Sequence, residues 1–143
     1  MGQGAAARRP EAGGLNLLLD TTVLIDALRG REAADRIRVL GRESSLPYAC
    51  AINVEEVWRG ARADEGEAID RLLSGLRIAP LGEREGKLAG SWRREFAARG
   101  VTLSQSDCLV AAAAVSVGAV VATGDLTGFP MPGVEVEHWP TGG

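Results

Sequence analysis

Across residues 15–139 the chain alternates between short apolar runs and stretches in which apolar residues recur every three or four positions. A short apolar run bounded by turn residues predicts a buried strand, and the three-to-four spacing predicts an amphipathic helix. Leu15-Asn-Leu-Leu-Leu-Asp20 is such a run, and it ends abruptly in a carboxylate. Val23, Leu24, Ala27 and Leu28 predict a short helix stopped at Arg29-Gly30, and Ala33, Ile37 and Leu40 predict a second over 32–40. Residues 45–50 lack a helical period, and Pro47 and Tyr48 suit a second strand. Ile52, Asn53, Val54, Val57, Trp58 and Ala61 define the next helix, and Ile69, Leu72, Leu73 and Leu76 the one after it. A short strand follows over 77–81, placed at an edge by Pro80.

Leu88, Trp92 and Phe96 lie four apart in a helix over 83–99 that Gly100 ends. Ser104-Gln-Ser-Asp107 opens a helix running to Val117 that is apolar nearly all round and is therefore expected to be buried. Residues 119–123 form a β-branched strand, 124–129 a turn, and 134–138 a half-exposed last strand of alternating apolar and charged residues. The order βααβααβααβαβ predicts an α/β fold: a short, mostly parallel five-stranded sheet with paired helices on both faces, in three α/β/α layers.

A chain of 143 residues that is 45% hydrophobic suits one domain, expected over 15–139 between a disordered leader, 1–14, and a tail, 140–143. No apolar run approaches the roughly 20 residues of a membrane span, and the leader lacks the apolar centre of a secretory signal. Cys50 and Cys108 sit in apolar surroundings without metal-ligand spacing, so buried free thiols and a cytoplasmic location are expected. The net charge of −3 removes the general basicity of many nucleic-acid binders, yet every basic residue but Lys87 is arginine, the side chain that grips phosphate bidentately. No GxGxxG or Walker loop supports a nucleotide cofactor.

Four acids fall at comparable places: Asp20 after the first strand, Glu56 (with Glu55 beside it) in the helix after the second, Asp107 in the first turn of the buried helix, and Asp125 after the fourth strand. Singly each has an ordinary explanation. Asp20 can cap its helix, Glu56 can be a solvated helix carboxylate, Asp107 can complete a capping box with Ser104, and Asp125 can hold a turn. Gathered at the carboxyl rim of a parallel sheet, they repel one another unless a cation neutralises them. Hard oxygen ligands suit Mg²⁺ or Mn²⁺ and argue against zinc; His138, the only histidine, reads as a strand-end residue. Such an ion activates water for phosphodiester hydrolysis without a protein nucleophile. Thr22 and Thr123 are placed to orient a carboxylate or water through their hydroxyls.

With these residues in view, the chain resembles a PIN-domain ribonuclease of the VapC type, the toxin of a toxin-antitoxin pair. The segments carrying the resemblance are Leu-Leu-Leu-Asp20-Thr-Thr-Val-Leu-Ile-Asp26, Asn53-Val-Glu-Glu56-Val-Trp-Arg-Gly60, Asp107-Cys-Leu-Val-Ala-Ala-Ala-Ala114 and Ala122-Thr-Gly-Asp125-Leu-Thr-Gly-Phe129. The resemblance selects Glu56 over Glu55, because the family's Glu stands four residues before a Gly. It implies that Asp20, Glu56, Asp107 and Asp125 bind metal and catalyse, with Asp26 left on the helix surface. It further implies cleavage of a structured RNA (tRNA or rRNA) that inhibits translation, with Arg29, Arg31, Arg59 and Arg62 as candidates to guide its phosphates, inhibition by a cognate antitoxin, homodimerisation and toxin-antitoxin hetero-oligomers. A groove around Leu28, Ile37, Leu40 and Trp58 is the expected antitoxin seat. The competing readings are a non-catalytic RNA- or protein-binding module on the same fold, a receiver-like signalling module, disfavoured because Lys87 lies in a helix, and a phosphatase, disfavoured because position 22 is Thr.

Overall fold

The computed structural model describes residues 14–142. The expected leader therefore lies, apart from Gly14, outside the described residues. The elements run β1 (Asn16–Leu19), α1 (Thr21–Leu28), α2 (Glu32–Leu40), β2 (Leu46–Ala49), α3 (Ala51–Arg59), α4 (Gly66–Ser74), β3 (Arg77–Ile78), α5 (Glu83–Ala98), α6 (Gln105–Ser116), β4 (Val120–Thr123) and β5 (Val136–His138). Short 3₁₀ turns lie at Gly41–Glu43 and Leu126–Gly128. The second stands where the sequence pattern placed the last connection.

All strand pairings in the described sheet are parallel, in the order β3-β2-β1-β4-β5. The central strand is covered on both faces, which is why Leu17, Leu18 and Leu19 form a continuous apolar run instead of alternating with polar residues. Successive side chains point to opposite faces, and the register aligns Leu17 with Val120, Leu18 with Val121 and Leu19 with Ala122. Leu18 and Val121 accordingly join one core with Trp92 and Phe96 of α5 and Cys108 and Ala111–Ala114 of α6. Leu17, Leu19, Val120 and Ala122 join the other, with Val23 and Leu24 of α1, Ala33 and Leu40 of α2, Val57 of α3 and Ile69 of α4. These are the three layers expected from the pattern. Alanines 111–114 are fully buried, so α6 lies close to the sheet.

The edge strands are short and exposed, β3 at both residues and β5 at Glu137 and His138, which limits edge-to-edge association. Cys50 and Cys108 are buried free thiols, as expected. No helix among the described residues is long and apolar enough to cross a membrane. The chain leaves β1 for β2 and β3 on one side, then crosses to β4 and β5 on the other. The reversal opens a crevice beyond the carboxyl ends of β1 and β4, where open α/β sheets bind ligands.

Candidate functional site

That crevice is a cleft of about 370 Å³ lined by Asp20, Thr21, Thr22, Ile25, Glu56, Arg59, Asp107, Asp125, Gly128 and Phe129. All four acids singled out in the sequence therefore reach one hollow, from β1, α3, α6 and the end of β4. Among the described residues none of the four forms a salt bridge.

Asp20 is 9% exposed and holds the N-cap position of α1, but its side chain makes no capping bond. The helix's first turn is closed by its backbone carbonyl, which accepts from the amides of Val23 and Leu24 at 3.0 Å each. The capping explanation thus fails, and the carboxylate is left for the cleft. Its Oδ2 accepts a 2.9 Å bond from the hydroxyl of Thr123, itself fully buried at the end of β4. The Thr123 oxygen in turn accepts from the Asp125 amide at 3.0 Å. Burial pushes the Asp20 pKa up; bonds from the Thr21 backbone and Thr123 pull it partly back, and the charges of Asp107 and Glu56 raise it further.

Asp107 keeps half of its expected capping box. The Ser104 hydroxyl accepts from the Asp107 amide at 3.0 Å, fixing the start of α6. The Asp107 carboxyl is also pushed upward, first by burial and then by the charges of Glu56 and Asp125, with Ser104 opposing. Asp125 behaves differently. Its Oδ1 accepts from the Thr127 hydroxyl at 2.6 Å and the Thr127 amide at 3.1 Å, which holds its pKa below the usual carboxylate value. It is exposed and does hold the turn, while still lining the cleft.

Glu56 accepts a 2.5 Å bond at Oε1 from the Thr21 hydroxyl. The Thr21 oxygen accepts from Asn53 Nδ2 at 3.2 Å, and Asn53 Oδ1 accepts from the Cys50 amide at 2.9 Å. A chain of bonds thus runs from the start of α3, through α1, to the Glu56 carboxylate. Glu55 points away to an exposed pair with Arg59 at 2.9 Å, so the structure places Glu56, not Glu55, in the cleft. Thr21 and Asn53 are site residues that sequence reasoning did not single out. The available signal was a polar residue, Asn53, four positions before Val57 and so on the same helix face; the structure shows its amide fully buried. Thr22 supports the rim indirectly, its hydroxyl accepting from the Gly124 amide at 3.0 Å.

Two expectations are corrected. Asp26 is not on the helix surface: it is 2% exposed, and its carboxylate accepts from the amides of Ala33 at 3.2 Å and Gly142 at 2.9 Å, with Arg31 3.7 Å away. Orphan amides at the start of α2 and in the tail need that acceptor. The groove expected around Leu28, Ile37, Leu40 and Trp58 is also divided. Leu28 and Ile37 line a mainly apolar hollow of about 480 Å³ with Ala27, Ala34 and Leu72, whereas Leu40 is core and Trp58 is 44% exposed elsewhere, lying over Gly66.

The arginines are spread around the site. Arg59 lines the cleft, Arg31 and Arg62 are exposed, and Arg29 is held by Glu65 at 2.5 Å, a partly buried tie between α1 and the start of α4. Cys50 and Cys108 are fully buried, and burial raises both thiol pKa values, so neither is a competent nucleophile.

Among the described residues no three His, Cys, Asp or Glu side chains stand in ready-made ligand geometry. The carboxylates form an open cleft, which fits a hard cation that retains several waters better than a closed cage would. The donor set is all oxygen, and buried Asp20 has no cationic partner among the described residues, so the residues fit Mg²⁺ or Mn²⁺.

The PIN domain matches residues 17–129. Ribonuclease VapC10 of Mycobacterium tuberculosis (strain CDC 1551 / Oshkosh) is 30% identical over 115 residues, covering 80% of this chain and 86% of the relative. Among solved structures, DNA-bound VapBC from Salmonella typhimurium superposes with a TM-score of 0.74 at 25% identity, over 87% of this chain and 98% of that one. VapBC2 from Rickettsia felis, bound to a promoter DNA fragment, gives 0.75 at 20% identity over the same shares, a likeness of fold.

Proposed function

The chain belongs to the PIN-domain family, in its VapC-type branch, and from that premise we propose that it is a Mg²⁺- or Mn²⁺-dependent endoribonuclease, the toxin of a toxin-antitoxin pair, cutting a structured RNA such as tRNA or rRNA. The observation that carries the reading is the meeting of Asp20, Glu56, Asp107 and Asp125 in one cleft without a cationic side chain among the described residues bonded to any of them. Burial and neighbouring carboxylates raise the pKa values of Asp20 and Asp107, a cost that a bound cation would offset.

Asp20 and Asp107 would hold the ion, with Glu56 and Asp125 completing the acidic rim. A bound divalent ion would supply neutralising charge and lower the pKa of an attacking water. The protein's part is positional. Thr123 fixes Oδ2 of Asp20 at the cleft, while the Asn53–Thr21 chain fixes Glu56. Arg59, with Arg31 and Arg62, would draw the RNA backbone to an otherwise repellent site. Arg59 is also paired, with Glu55, but its side chain is exposed, whereas Arg29 is partly buried against Glu65 and is assigned a structural role instead. The apolar hollow between α1, α2 and α4, flanked by Arg38 and Arg71, would receive an apolar, partly acidic segment of the antitoxin. Homodimerisation and assembly into toxin-antitoxin hetero-oligomers belong to the same reading.

The test is cleavage of total tRNA and rRNA by purified protein, stripped with EDTA and then resupplied with Mn²⁺, beside Asp20→Asn and Asp107→Asn. Cleavage that requires the ion and is lost in both variants supports the proposal. Binding of RNA without turnover in any condition would favour the non-catalytic module.

A further inference from the structure

The turn Leu126–Gly128 passes directly over the carboxylate of Asp107. An ideal Cβ built on Gly128 would lie 2.7 Å from Asp107 Oδ2, 3.2 Å from its Cγ and 3.6 Å from Oδ1. The first of these distances is closer than a carbon and an unbonded oxygen can approach. The backbone of Gly128 does not have a positive φ, so the demand for glycine comes from the room available and not from the dihedral angles.

The backbone on each side of this contact is held in place. The turn is held at one end by Thr127, bonded twice to Asp125, and at the other by Phe129, which is 5% exposed in the core beside α5 and α6. On the opposite side, Ser104 fixes the amide of Asp107 at the start of α6. A methyl group at position 128 would therefore be accommodated by the one movable part, the Asp107 side chain swinging out of its present place.

We propose that Gly128 is a positioning residue: by lacking a side chain it lets the turn close on the Asp107 carboxylate and keep it in the cleft shared with Asp20, Glu56 and Asp125. This rests on the nuclease reading for its functional meaning, though the contact itself does not. Groups that orient a metal's ligands typically change metal affinity by about 10–100-fold when altered.

The experiment compares the full chain with Gly128→Ala, Asp107→Ala and the double variant. Mn²⁺ affinity is measured by calorimetry, RNA cleavage as a function of Mn²⁺, and thermal melting in EDTA. Gly128→Ala is expected to bind Mn²⁺ about tenfold more weakly or worse. Its Mn²⁺ requirement for cleavage should rise in proportion, with the KM for RNA at saturating Mn²⁺ unchanged. In the Asp107→Ala background, where the obstructing carboxyl is gone, the same substitution should produce no further loss of Mn²⁺ affinity. Any melting temperature lost in Gly128→Ala should be recovered in the double variant relative to Asp107→Ala.

Parent-like Mn²⁺ affinity in Gly128→Ala overturns the assignment of Gly128 alone. So does a melting loss that persists unchanged in the double variant. A parent protein that binds no Mn²⁺ and cleaves no RNA overturns the nuclease reading instead.

Discussion

Replacing Thr123 by valine keeps the shape of the residue and removes one hydroxyl that does two jobs. That hydroxyl donates to Asp20 Oδ2 at 2.9 Å and accepts from the Asp125 amide at 3.0 Å, at a position with no solvent exposure. A hydrogen bond to a charged group contributes roughly 1.5–3 kcal/mol, and a buried group left without its partner costs a similar amount. Water entering the open cleft can satisfy Asp125 in part, so the expected loss for Thr123→Val is about 2–3 kcal/mol in metal-free protein near neutral pH. For a chain of this size that is a fall in Tm of roughly 6–10 °C. The loss should depend on pH in a definite direction. The Thr123 bond favours ionised Asp20, so it matters most where Asp20 is charged, above its raised pKa. As pH falls through that value the carboxyl protonates and the difference between parent and variant should narrow. Thermal unfolding followed by circular dichroism in EDTA, from pH 8 to pH 4, measures both effects. A Tm equal to the parent's at pH 8, or a deficit that widens toward acid, would refute the reasoning.

Asp20→Asn should separate stability from function. Asp20 and Asp107 have raised pKa values when folded, so their contribution to stability is fully present below the unfolded values and is lost as pH rises through the folded ones. Metal-free Asp20→Asn should therefore gain stability relative to the parent as pH rises toward neutrality, as denaturant melts would show. Mn²⁺ affinity of the parent should fall as the medium is acidified through the same raised values, because protons compete for the same oxygens. Thr21→Val should cut the cleavage rate by about 10–100-fold by releasing Glu56, with RNA binding retained in a filter assay. Asp26→Ala should cost about 2–3 kcal/mol in urea unfolding by orphaning the Ala33 and Gly142 amides, while Mn²⁺ binding stays as in the parent.

The sheet was legible because its signals are local. The unbroken Leu17–Leu18–Leu19 run exists only because β1 is central and covered on both faces, and Pro80 does follow the short edge strand β3. The acids were legible as a set because each sits at the carboxyl end of a strand or in the first turns of the helix that packs there. What no local period encodes is contact between distant segments. Asp26 sits on the polar side of a short helix, and the amides that need its carboxylate come from seven and 116 residues further along. Trp58 has the spacing of a core residue, but its ring lies on the backbone at Gly66, leaving it half in solvent. Gly128 looks like any turn glycine until the Asp107 carboxylate is seen against it.

The central claim, that the four carboxylates form a site for a hard divalent ion, is tested most directly by titrating Mn²⁺ into EDTA-stripped protein in a calorimeter, with Asp20→Asn beside the parent. The expected result is saturable binding to the parent and binding weakened by about tenfold or more in the variant, with both proteins folded. Equal affinity in the two, or no binding to the parent, would contradict it.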